Sequence, residues 1–201
     1  MRNLAILMTS AGALLAAVSC AIDPPGRPQA RIAFEKNVLL VPAGQVAIET
    51  SYQAPLNPPN IDHLRKDRPA QIPKKWLEKR AKTIAGAPGI LKLTITDAAA
   101  TEKVLPIKTD WKHAFDRQSD AQYNAHLAWR LDYEGPSLTW MTSGEASSMR
   151  TVLEQASPNE SDMDYNLMLE ALAHAFDERI TKQIGELRDA LAKTGAPAAK
   201  S

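Results

Sequence analysis

Alternation of apolar and polar residues over 121–134 is the feature that most restricts the fold of this chain. A β-strand points successive side chains to opposite faces, so such a pattern gives one buried and one solvent-exposed face. Antiparallel sheets have this property more often than parallel ones. The segment therefore predicts a strand of an antiparallel sheet. Its apolar face holds Tyr123, Ala125, Leu127, Trp129, Leu131 and Tyr133, and its polar face holds Gln122, Asn124, His126, Arg130, Asp132 and Glu134.

Further strands are predicted on both sides of this segment. Gly135-Pro136 turns the chain, and residues 138–150 form a partner strand whose second half is small and polar, as suits a sheet edge. Residues 38–41 form a short apolar run, and residues 45–53 and 91–96 alternate in the same way as 121–134. Val104 and Leu105 extend the last of these or begin another strand.

Two helices are predicted. The first covers residues 69–84 and is ended by Gly86, Pro88 and Gly89. The second is long and begins after Ser157, where Pro158 and Glu160 complete an N-terminal capping box. Its apolar residues recur every three or four positions and form one stripe, which predicts one buried face. They are Tyr165, Leu169, Leu172, Phe176, Ile180, Ile184, Leu187 and Leu191.

These elements predict an α+β fold of two layers. An antiparallel sheet of about four or five strands would carry one short helix and one long C-terminal helix on one face. We expect a single domain over residues 31–195, followed by a disordered tail over 196–201. The proline-rich residues 20–30 would form a flexible tether, and residues 1–19 a signal peptide.

The first twenty residues predict a membrane anchor. Arg2 precedes an apolar run over residues 4–18 that is shorter than the ~20 residues of a spanning helix, and Ala17-Val18-Ser19 leads into Cys20, the only cysteine. This arrangement resembles the lipobox of bacterial lipoproteins, although Ala17 stands where leucine is usual. The resemblance implies lipidation of Cys20 by a diacylglycerol and a further acyl chain, palmitate being typical.

Lipidation would account for an unpaired thiol in an oxidising compartment. The alternative is an ordinary secretory signal that leaves Cys20 as a free thiol. Ala21 replaces the aspartate that retains lipoproteins in the inner membrane of enteric bacteria. By that rule the protein would sit on the periplasmic face of the outer membrane.

The composition argues against nucleic-acid binding, and the sequence contains none of the common catalytic motifs. Without residues 1–19, which contain Arg2 and no acid, the chain has 23 basic and 23 acidic residues, so no basic surface favours nucleic acid. The nucleophile elbow, zinc-protease, phosphate-loop and C-x-x-C patterns are all missing from the sequence. We therefore predict no catalytic residues, no metal ligands and no cofactor.

Several weaker constellations have an ordinary structural interpretation, which we favour. Glu170, His174 and Glu178 share one helix face and could ligate a metal, but they lie opposite the apolar stripe. Met163 and Leu167 lie outside the stripe and either cap the core or touch a partner. One loop holds Asp110, His113, Asp116 and Asp120, which could form an acid/base group. A basic run near the first helix could face lipid headgroups and consists of Lys74, Lys75, Lys79, Arg80 and Lys82.

The order of the elements is similar to that of small envelope lipoproteins that accompany transport machines. It includes a Ser147-Ser148-Met149-Arg150-Thr151 strand followed by a helix start at Ala156-Ser157. The families concerned are the lipopolysaccharide-assembly lipoprotein and the auxiliary lipoproteins of ABC-type phospholipid transporters. This resemblance implies a non-enzymatic adaptor or lipid-handling role in an envelope complex.

Two classes of function remain open. An adaptor predicts an exposed apolar patch or groove, at the open sheet edge or around Trp111 and Trp140. An envelope hydrolase or metal-dependent enzyme predicts a pocket that brings together at least two of His113, Asp116, Asp120 and His126.

Overall fold

The computed structural model describes residues 30–107 and 118–194. Two single 3₁₀ turns, Asp62–Leu64 and Pro69–Gln71, precede the first α-helix. The strands and helices follow one another in the order β1 (Leu39–Val41), β2 (Gln45–Thr50), α1 (Ile72–Lys79), β3 (Ala81–Thr83), β4 (Ile90–Asp97), β5 (Ala100–Val104), β6 (Ser119–Glu134), β7 (Thr139–Leu153) and α2 (Pro158–Lys193).

Strand β6 is the centre of a five-stranded sheet. On one side it pairs with β7 along nearly its whole length, and on the other side it is shared between β4 and β5. These pairs are antiparallel, whereas β2 lies parallel to β4, so the sheet is mixed rather than wholly antiparallel. The chain between β2 and β4 contains α1 and is long enough to return in the same direction. Strands β1 and β3 form a separate parallel pair.

The predicted α+β class, with a short helix and a long C-terminal helix, is confirmed. Helix α2 packs on one face of the sheet, and the alternating apolar residues of β6 are all buried beneath it. The stripe on α2 is buried from Tyr165 to Leu187, and Leu191 is partly buried. Phe176 lies edge-on to Trp129 at 4.8 Å and to Trp76 at 5.9 Å between ring centroids.

The structure confirms the predicted start of α2 but not the predicted end of α1. The side chain of Ser157 accepts a hydrogen bond from the Glu160 amide and that of Glu160 accepts one from the Ser157 amide, so the predicted capping box is present. The prediction for α1 was too long, because the helix ends at Lys79 and Ala81–Thr83 pairs with β1. That pairing is a tertiary interaction, which helical propensity does not reveal.

Among the residues described, no helix is long and apolar enough to cross a membrane.

Candidate functional site

Several predicted residues lie outside the described part of the chain. These are Cys20, with the predicted signal peptide and most of the tether, and four residues of the 108–117 segment: Asp110, Trp111, His113 and Asp116. Of the predicted enzyme cluster, Asp120 and His126 are described. They stand six residues apart on β6, which is about 20 Å along a strand. These two side chains therefore do not meet in one pocket.

The outer face of the sheet, which α2 does not cover, is open and polar. It carries the alternate side chains of β6 that the sequence predicts to be solvent-exposed, flanked by Lys92 and Thr94 of β4 and by Ser143 and Glu145 of β7. Met141 and Met149 of β7 also project from it and are 65% and 72% exposed. Much of its charge is neutralised locally, because Arg130 pairs with Asp132 at 2.9 Å and Lys92 with Glu49 at 2.7 Å.

His126 occupies the middle of this outer face between two carboxylates. Its Nδ1 lies 3.1 Å from Asp97 of β4, and its Nε2 lies 3.7 Å from Glu145 of β7. The imidazole thus links three neighbouring strands. The two carboxylates lie on opposite sides of the ring, and within residues 30–107 and 118–194 no group of three or more His, Cys, Asp or Glu side chains is arranged to hold a metal ion.

The predicted helix constellation is a surface arrangement. Glu170 accepts a hydrogen bond from the backbone N–H of Arg31 at 2.7 Å, which holds the first described segment against α2. His174 and Glu178 are exposed to solvent. Met163 and Leu167 are 52% and 39% exposed, so they do not cap the core.

The basic run near α1 is partly engaged within the protein. Lys75 pairs with Asp67 at 2.8 Å, and Lys79 donates to the carbonyl of Ile32 at 3.4 Å. Arg80 is buried. Lys74, Lys79 and Lys82 are exposed to solvent.

A buried polar cluster at Asp177 was not predicted from the sequence. Its carboxylate accepts hydrogen bonds from the indole N–H of Trp76 at 2.8 Å and from Arg80 Nε at 2.9 Å. The same carboxylate accepts the backbone N–H of Glu35, whose side chain pairs with Arg80. The one available sign was a lone aspartate next to the apolar stripe of α2. Because every donor is satisfied inside the core, the cluster is structural.

A second cluster surrounds Arg65. Its guanidinium lies against the rings of Tyr123 and Tyr165, at 5.4 and 4.8 Å from their centroids, and forms an ion pair with Asp162. Burial raises the pKa of both phenols. A cation stacked on two rings and paired with a carboxylate stabilises the packing of β6 on α2.

Asp62 is buried beside this region. It accepts hydrogen bonds from the hydroxyl of Tyr52 at 3.2 Å and from the backbone N–H of Ala100 at 3.0 Å. Burial raises the pKa of Asp62 in spite of these bonds, and it also raises the pKa of Tyr52. The carboxyl joins the 3₁₀ turn to β5 and is almost completely buried.

Strand β7 forms one edge of the sheet, as the sequence predicts, and β2 forms the edge on the other side. The outer edge of β7 faces a shallow cleft beside α2. The cleft is lined by His126 of β6, by Glu145, Ala146 and Ser147 of β7, and by Ala175, Glu178, Arg179 and Lys182 of α2. Trp140 is half-buried against the core, so the predicted patch around it is not an exposed aromatic surface.

The sequence matches no protein-family model, and no curated protein matches it. Similar solved structures include rare lipoprotein B from Shewanella oneidensis, at 10% identity over 74% of this chain and 98% of that one, with a TM-score of 0.41. A Xanthomonas campestris protein of family DUF330 is similar over 83% and 93% of the two chains, with 10% identity and a TM-score of 0.33. The PelC dodecamer from Paraburkholderia phytofirmans is similar over 70% and 96%, with 11% identity and a TM-score of 0.24.

Proposed function

We propose that this protein is a lipid-anchored envelope lipoprotein that acts as a non-enzymatic adaptor, holding a partner of an envelope complex near the outer membrane. The anchor is the lipid on Cys20, which the lipobox-like sequence Ala17-Val18-Ser19-Cys20 supports. Two or more acyl chains give stable attachment, whereas one chain binds reversibly. The role requires no cofactor and no covalent chemistry.

The observation that carries the proposal is the open outer face of the five-stranded sheet. Its strands present polar side chains that alternate with a few exposed apolar ones, and Met141 and Met149 belong to the latter. The described polar clusters at Asp177, Arg65 and Asp62 are instead satisfied within the fold. A broad open face suits the binding of another protein better than it suits the enclosure of a reacting molecule.

The anchor is tested by replacing Cys20. We expect wild-type protein to fractionate with membranes and to carry an acyl mass on its N-terminal peptide. Cys20→Ser should move the protein to the soluble fraction, while Ser19→Ala, which keeps the cysteine, should leave it with membranes. An unmodified Cys20 thiol in mature wild-type protein would contradict the anchor.

The adaptor role is tested by affinity purification of the full-length protein from gently solubilised envelopes, with mass spectrometry of co-purified proteins and lipids. We expect one stoichiometric envelope partner. Arg130→Glu reverses a charge in the middle of the outer face and should weaken that recovery. Lys74→Glu, the matched reversal on α1, should not. A protein recovered without partner or lipid would reject the adaptor role.

A further inference from the structure

The outer edge of β7 presents backbone groups that no other strand of the described residues pairs with. The N–H of Gly135 donates to the carbonyl of Leu138 at the hairpin turn, so these two residues form a hydrogen-bonded pair. Such pairs recur at every second residue of an antiparallel ladder, so the even-numbered residues of β7 are those that bond to β6. The odd-numbered residues from Met141 to Thr151 therefore direct N–H and C=O away from the sheet. The carbonyl of Ser143 agrees with this assignment, because it accepts a hydrogen bond from Gln183 of α2 at 2.8 Å.

This edge lacks the usual protection against pairing. Natural edge strands are kept apart by bulges, prolines or charged side chains, lysine above all. The pairing of β7 with β6 is regular from Thr139 to Val152, and the strand contains no proline. Among the odd-numbered residues 141–151, Glu145 is the one that carries a charge. Within the described residues, no other strand pairs with this edge.

We propose that the outer edge of β7 pairs with the same edge of a second copy of this chain. The pairing is antiparallel about a two-fold axis at Ala146, the middle residue of Thr139–Leu153, and forms one continuous sheet. In this register Glu145 lies opposite Ser147 of the second copy, so no like charges oppose one another on the strand. The two residues form a hydrogen-bonded pair with Cα atoms about 5.5 Å apart.

The helix layer fits the same axis. Ser148 donates to the carbonyl of Met168 and Gln183 donates to that of Ser143, so the helix segment level with Ala146 contains Ala171 and Ala175. Ala171 and Ala175 are small, so the flank of α2 nearest the axis carries little side-chain bulk.

Charge is also complementary across the axis. A two-fold axis level with residue 173 brings Lys182 of one copy level with Asp164 of the other. Lys182 lines the cleft without an ion-pair partner among the described residues, while Asp164 pairs with Arg150 at 2.6 Å and can accept a second cation. The self-association thus supplies a partner for an otherwise free cation.

Disulfide trapping in envelopes tests the pairing on the full chain. A Glu145→Cys variant co-expressed with a Ser147→Cys variant should give a covalent dimer on mild oxidation, because a Cα separation of about 5.5 Å suits a disulfide. Met141→Cys co-expressed with Ser147→Cys is the matched control and should give little, and the wild type reports any contribution of Cys20. Equal yields from the two mixtures would reject the register, and no dimer from either would reject the pairing.

Introducing a charge of either sign at position 147 provides a second test in solution. Sedimentation of the purified full-length protein in detergent across a concentration series should show a dimer. Ser147→Glu places two acids opposite each other at two places and should weaken dimerisation about tenfold or more, whereas Ser147→Lys should preserve it. A monomer at every concentration, or equal effects of the two variants, would overturn the proposal. Neither result bears on the recovery of an envelope partner, which tests the adaptor role separately.

Discussion

Arg80 Nε lies 2.9 Å from the carboxylate of Asp177, and both side chains are almost completely buried. This ion pair joins the end of α1 to the middle of α2 at the centre of the molecule. A buried charge is tolerated only while its partner is present, because water cannot replace the lost interaction. The pair therefore makes the docking of α1 on α2 depend on one carboxylate.

Removing that carboxylate should destabilise the protein strongly. We expect Asp177→Ala to lower the free energy of unfolding by about 3–5 kcal/mol, because the buried Nε of Arg80 and the indole N–H of Trp76 would both lose their acceptor and Glu35 would be the one carboxylate left beside the guanidinium. Urea unfolding followed by tryptophan fluorescence measures the change. Asp189→Ala, on the exposed side of the same helix, should change it by less than about 0.5 kcal/mol. A cost for Asp177→Ala no larger than that of the control would contradict the assigned role.

Two glycine-to-alanine substitutions should have opposite effects. A Cβ added at Gly144 would lie 2.6 Å from the ring of Trp129, so Gly144→Ala should cost about 1–3 kcal/mol by forcing the indole out of place. A Cβ at Gly185 meets nothing within 4 Å, and Gly185→Ala should stabilise α2 by about 0.5–1 kcal/mol. Thermal unfolding of both variants gives the comparison. A neutral Gly144→Ala would mean that the Trp129 pocket is not tightly packed.

The four tyrosines should ionise only at unusually high pH. Burial raises the pKa of Tyr52, Tyr123, Tyr133 and Tyr165, which are all the tyrosines in the sequence. The folded protein thus keeps protons that the unfolded chain releases near pH 10, so stability is complete below that pH and falls as the pH rises further. Absorbance at the tyrosinate band should stay low through pH 10 and rise together with unfolding. The protein in guanidinium chloride is the control and should titrate normally, and a folded protein with tyrosinate at pH 10 would contradict the burial.

The N-cap of α2 should contribute measurably to stability. Ser157 accepts the amide N–H of Glu160, so Ser157→Ala should cost about 1 kcal/mol by leaving that donor without its partner. Ser161→Ala, one turn into the helix, is the matched control. Equal unfolding midpoints for the two variants would show that the cap is dispensable.

Periodicity predicted the parts of the fold in which local pattern and burial coincide. The buried face of β6, the stripe of α2 and the cap at Ser157 each follow from residue spacing alone. The parallel pairing of β2 with β4 and of β1 with β3 could not be predicted, because hydrophobic alternation does not reveal which strand lies beside which. The pairing of β1 with β3 also explains why α1 is shorter than predicted.

The candidate site was predictable in outline and not in detail. The open edge at β7 follows from the small polar residues of 143–150. The position of His126 between Asp97 and Glu145 depends on the register of three strands and could not be read from one chain segment. The Asp177 cluster depends on long-range contacts between α1, α2 and the chain before β1.

Two hydrogen bonds from backbone N–H groups to carboxylates, Arg31 to Glu170 and Glu35 to Asp177, also determine where mechanical tension would enter the domain. In a protein anchored at Cys20, a pull directed along the N-terminal segment reaches α2 first, on the flank away from the cleft beside β7. The second bond transfers the pull to the carboxylate that also holds Trp76 and Arg80. The tether would therefore pull on the buried polar cluster around Asp177.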